Sequence, residues 1–89
     1  MRYKLVYYKY HCESEPAITL VEEENGVVFS DYPIACRNDP IHIAVKNLKS
    51  ITERLPLEEK ITLFFKLLEL LNYETTYTEL SHLLEYYLL

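Results

Sequence analysis

Two hydrophobic rhythms divide the chain. Over the first 35 residues β-forming side chains dominate, and from residue 41 onward apolar residues recur at helical spacing. Residues 2–12, with Tyr3, Leu5, Val6, Tyr7, Tyr8 and Tyr10, predict a strand. Glu13-Ser14-Glu15-Pro16 is expected to break it, and residues 17–23, with Ile18, Leu20 and Val21, predict a second strand. Asn25-Gly26 is the preferred pair for a two-residue type I′ hairpin turn. The return strand is Val27–Tyr32, with Pro33 as its expected stop.

The helical part begins after Asp39-Pro40, read as an N-cap followed by a first-turn proline. Ile41, Ala44, Val45, Leu48, Ile51 and Leu55 form the apolar stripe of the first helix, which Pro56 ends. The second helix starts near Leu57-Glu58-Glu59, where acids favour a first turn. Its residues Ile61, Leu63, Phe64, Phe65, Leu67, Leu68, Leu70 and Leu71 leave only Thr62, Lys66 and Glu69 as a polar stripe. Such a helix is either central to the fold or partly a subunit interface. Thr76-Tyr77-Thr78-Glu79 has capping-box spacing and opens a third helix with Leu80, Leu83, Leu84, Tyr87 and Leu88 on its apolar face. The expected architecture is α+β: a small three-stranded antiparallel sheet followed by three helices packed on one face, βββααα. One domain over 1–89 is expected, with a β-meander in 1–36 and a helical part in 39–89.

Composition narrows the functions. The chain has 89 residues, one Gly, no Gln and nine Tyr. A single glycine excludes a Walker A loop and a dinucleotide-binding fingerprint. Low Gly, absent Gln and abundant Glu, Leu and Tyr give a thermophile-like composition. No run of 18 apolar residues and no leader at Met1-Arg2-Tyr3-Lys4-Leu5 occur, so the expectation is a cytoplasmic protein without membrane contact, in the host cytoplasm if viral. The net charge of −5 is uneven: residues 1–12 carry +3, residues 13–35 carry −6, residues 36–52 carry +2 and residues 53–89 carry −4. An acidic C-terminal half disfavours duplex DNA and favours protein partners. Cys12 and Cys36 are expected as packed thiols, with a single bridge as the alternative.

Catalytic and metal motifs are absent. His11, His42 and His82 have no metal-binding spacing, and neighbours His11 and Cys12 point to opposite faces of a strand. Glu22-Glu23-Glu24 reads as a solvated charge cluster. No enzymatic activity and no cofactor are expected. Two binding readings remain. One is a single-stranded nucleic-acid module using Arg2, Tyr3, Lys4, Tyr7, Tyr8, Lys9 and Tyr10, where rings stack on bases and cations hold phosphates. His42, Lys46 and Lys49 would add a second basic patch on the first helix. The favoured reading is a small protein-binding regulator that occupies a partner surface. A homodimer is expected through Leu63, Leu67, Leu70, Tyr86 and Leu89, because a small chain gains from burying apolar helix surface between subunits.

Asp31-Tyr32-Pro33-Ile34-Ala35-Cys36 and Ala44-Val45-Lys46-Asn47-Leu48-Lys49 resemble the hairpin-then-helix unit of HicB-type antitoxins, over residues 18–48. The glycine of that family's motif is absent here and one residue is inserted. The resemblance implies a small partner-binding protein. Size, charge and the Gly-poor, thermophile-like composition separately suggest a regulator of antitoxin or anti-defence kind in a viral or plasmid setting.

Overall fold

The computed structural model describes residues 2–12 and 15–89, with the side chains of 9–12 and 15 outside that description. Strands β1 (Arg2–Cys12), β2 (Glu15–Glu24) and β3 (Val27–Ala35) form an antiparallel meander in the order β1-β2-β3. Helices α1 (Ile41–Thr52), α2 (Leu57–Leu70) and α3 (Tyr77–Leu88) follow and pack against the sheet, α1 on β3 and α2 on β1. The expected α+β architecture is the one observed. The molecule measures 38 × 32 × 18 Å, and its shortest extent accommodates one sheet layer and one helix layer.

The turn between β2 and β3 has φ of 52° at Asn25 and 81° at Gly26, the left-handed pair that a type I′ hairpin requires. The prolines behave differently from expectation. Pro16 belongs to β2, opposite His11, and Pro33 belongs to β3, opposite Thr19. Pro33 does not stop the strand, because an edge strand tolerates a residue that lacks an N–H. Two register shifts shape β3. One, between Ile18 and Thr19 of β2, lets consecutive Ile34 and Ala35 both be buried. The other, between Glu22 and Glu23, leaves Phe29 without a partner on β2 and more than half exposed.

The core lies between the two layers. Leu5, Ile18, Leu20, Ile34 and Ala35 meet Ala44, Val45 and Leu48 of α1, Leu63, Phe64, Leu67 and Leu68 of α2, and Tyr87 of α3. The Tyr87 ring packs 5.2 Å from Phe64, and its hydroxyl shares a 2.9 Å hydrogen bond with buried Thr52. Asp39 does not cap α1. Its carboxylate accepts from the Cys36 N–H at 2.8 Å, closing the β3–α1 turn, and Pro40 occupies the N-cap with no side-chain cap bond. The α3 cap follows the sequence on one side only. Thr76 accepts from the Glu79 N–H, while the Glu79 carboxylate is engaged by the Tyr73 hydroxyl. The expectation of packed thiols is corrected as well: Cys36 is disulfide-bonded, and Cys12 is the chain's other cysteine.

Candidate functional site

Strand alternation sorts the tyrosine-rich strand into two faces. Tyr3 and Tyr7 lie with Leu5 on the helix side and pack against the core. The Tyr3 hydroxyl donates to Glu22 at 2.6 Å. That bond, reinforced by partial burial, raises the Tyr3 pKa above the ordinary tyrosine value. The Tyr7 hydroxyl donates to the carbonyl of Leu70, one of the last-turn acceptors of α2, and the Arg37 guanidinium sits 5.5 Å above its ring. These two rings are therefore structural. Arg2, Lys4 and Tyr8 lie on the opposite face, and the side chains of Lys9 and Tyr10 fall outside the described residues. The strand does not present one continuous stacking platform.

The opposite face of the sheet is the unusual surface. An antiparallel sheet with one solvated face normally alternates apolar and polar residues. Strand β2 instead reads Ala17-Ile18-Thr19-Leu20-Val21, and all five are buried. Ile18 and Leu20 belong to the core cluster, whereas Ala17, Thr19 and Val21 point the other way and lie outside it. Their rows are completed by Tyr8 opposite Ala17, by Val6 and Pro33 on either side of Thr19, and by Lys4 and Asp31 on either side of Val21. Tyr8 and Val28, at 38% exposure each, border this strip; on the core side α1 and α2 pack on the sheet and α3 packs on α1, contributing Tyr87 to the core. The central strand is thus apolar on both faces and helix-covered on one.

Other candidate residues are distributed more widely. The acidic run divides by alternation: Glu22 accepts from Tyr3 and Ser30 on the helix side, Glu23 pairs with Lys4 at 3.1 Å on the outer face, and Glu24 is exposed. On α1, His42 and Lys46 are exposed, but Lys49 donates to the Tyr86 carbonyl at 2.8 Å and lies 4.5 Å from the Tyr86 ring centre. Of the residues expected at a helical dimer contact, Leu63 and Leu67 are buried in the chain's own core and cannot reach a partner. Leu70 packs against that core, Tyr86 is held by Lys49, and Leu89 is exposed. An open groove of about 640 Å³ separates Arg2 and Lys4 of β1 from Glu58 and Glu59 in the first turn of α2. Its charges oppose one another across the opening, so it has no single electrostatic preference. Among the described residues no group of three or more His, Cys, Asp or Glu is placed to hold a metal ion, and no helix is long and apolar enough to cross a membrane.

Sequence reasoning missed the outer sheet face, although its signal was present. Five successive buried residues in β2 break the alternation of a half-solvated strand. Compared with protein-family models, curated proteins and solved structures, the chain matches none, so the antitoxin resemblance gains no support there.

Proposed function

We propose that this chain is a small non-enzymatic regulatory protein that works by presenting the outer face of its sheet to a protein partner. The observation that carries this reading is the set of exposed apolar residues on the outer face of the sheet, Tyr8, Val28 and Pro33, which border the buried Ala17-Thr19-Val21 strip. Exposed apolar residues gathered on one sheet face and rimmed by charge mark interaction surfaces. Lys4, Glu23 and Asp31 form that rim on the outer face. A partner-occupying role of antitoxin or anti-defence kind suits the size and the net charge of −5. The disulfide fits an oxidising compartment or a hyperthermophile's cytoplasm, and the thermophile-like composition agrees with the second. The single-strand nucleic-acid reading has less support, because Tyr3 and Tyr7 are held on the helix side.

The test is affinity capture from source cells with the wild type and with Tyr8→Lys and Val28→Lys, two exposed positions bordering the strip. The expected result is a protein retained by the wild type and lost from both variants at unchanged circular dichroism. Equal capture by all three overturns the reading. Salt-sensitive binding of a labelled single-stranded oligonucleotide would move the assignment to nucleic acid.

A further inference from the structure

We infer that the free edge of β1 and the groove beside it accept an extended segment of a protein partner as a fourth strand, with basic and acidic residues alternating along that segment. This surface is separate from the outer face of the sheet. Arg2, Tyr3 and Lys4 all line the groove. Consecutive strand residues point to opposite faces, so a groove that reaches all three runs along the strand's edge and not over one face. Among the described residues no strand lies beside that edge. Its main-chain groups form a template for strand addition, in which the backbone supplies affinity and flanking grooves select side chains.

The two edges of the sheet are not equivalent. Strand β3 is interrupted by Pro33 and by two register shifts, whereas β1 pairs with β2 row by row from Arg2 to Tyr8. A strand without a break presents its outward N–H and C=O groups at the regular spacing that a new strand needs.

Charge sets which strand is accepted. On the α2 side of the groove, Glu58 and Glu59 have no cation within ion-pair distance among the described residues. Two carboxylates exceed the roughly half positive charge of the helix end they flank, so this wall is net negative. Tyr3, Pro56 and Leu63 also line the groove and suit the methylene stem of a Lys or Arg. The β1 wall carries Arg2 and Lys4, and Lys4 is paired with Glu23 at 3.1 Å. Opposite charges on the two walls match the alternation of a strand: a basic residue turns toward α2 while its acidic neighbour turns outward to Arg2. The volume of about 640 Å³ lies within the range of specific ligand clefts, roughly 300–1,000 Å³. The same cations that blunt this edge against indiscriminate pairing thus set its choice of partner strand.

The test titrates the isotope-labelled full chain with the blocked peptide acetyl-Thr-Lys-Glu-Lys-Thr-amide and follows the backbone amide shifts. Shifts are expected along residues 2–6 and 58–62, with slowed hydrogen exchange at the β1 amides that face the edge. Glu58→Gln combined with Glu59→Gln should weaken binding by about fivefold at unchanged circular dichroism, the upper end for exposed ion pairs. A peptide with Pro in place of its Glu cannot complete the ladder and should lose binding. An all-lysine version that binds more tightly, or acetyl-lysine-amide that binds as well as the peptide, would reveal a general cation site and overturn strand addition. Shifts confined to the outer face around Tyr8 and Val28, or no shifts at about 1 mM peptide, would overturn it too.

Discussion

Tyr87 shows how one side chain joins the layers. It is fully buried, packs on Phe64 and shares a hydrogen bond with Thr52. Tyr87→Ala is expected to lower unfolding free energy by about 3–5 kcal/mol, as removal of a buried aromatic does. Tyr87→Phe should cost only about 1 kcal/mol, because Thr52 still donates to the Leu48 carbonyl. Urea denaturation of the two variants checks the difference. Burial raises the Tyr87 pKa, with the Thr52 bond opposing, and the Glu22 bond raises that of Tyr3. Both phenols are thus protonated in the folded state beyond the pH at which the unfolded chain loses the proton. Their stabilising effect is complete below about pH 10, the ordinary tyrosine value, and disappears as pH rises through the raised folded values. Thermal melts across this range should show falling stability, with a shallower fall in Tyr3→Phe. Uniform titration of all nine tyrosines near the ordinary value, without loss of stability, would sink this account. The division of the tyrosines between two faces follows from odd and even positions on β1 and was legible in the sequence. The Thr52–Tyr87 bond was not, because it joins residues 35 positions apart and depends on how α1 meets α3.

Elements end where local chemistry ends them. After α2, Asn72 takes φ of 52°, its N–H reaches the Glu69 carbonyl, and the Tyr73 N–H reaches the Leu68 carbonyl. This is a Schellman motif with Asn in the left-handed position usually held by Gly. Asn72→Ala is expected to cost about 1 kcal/mol, since a Cβ without a compensating local hydrogen bond is disfavoured there. Thr76→Ala removes the α3 cap and should also cost about 1 kcal/mol. Chemical denaturation of the two single variants and the double variant checks both; neither change should alter the sheet. The Asn25-Gly26 turn and the Thr76 cap were readable because each is a local device with its own residue preference. Asp39 and Pro33 were misread because their roles depend on neighbours: Asp39 serves the turn that brings Cys36 to α1, and Pro33 is tolerated because β3 lies at an edge. The outer face of β2 needed both kinds of information. Its continuous apolar run is in the sequence, but only the placement of all three helices on one side shows which half of that run lacks helical cover.

At the scale of the whole molecule, the disulfide at Cys36 constrains the join between the two halves. Cys36 follows β3 directly and precedes the turn into α1. Its N–H is bound by Asp39, and the neighbouring Ile34 carbonyl accepts from Asn47 of α1 at 2.8 Å. Arg37, the next residue, lies over Tyr7, whose hydroxyl holds the end of α2. A cross-link at this point restricts the unfolded chain where sheet and helices meet. A bridge that closes a loop of a few tens of residues is worth about 3–4 kcal/mol through loop-closure entropy. Reduction, or Cys36→Ser, is therefore expected to lower the melting temperature by roughly 10–20 °C for a domain of this size. Non-reducing electrophoresis should show a single chain. Unchanged melting on reduction would mean that hydrogen bonds at the sheet–helix junction fix it without the bridge. In that case Asp39→Ala and Asn47→Ala, which remove those bonds, should produce the larger loss.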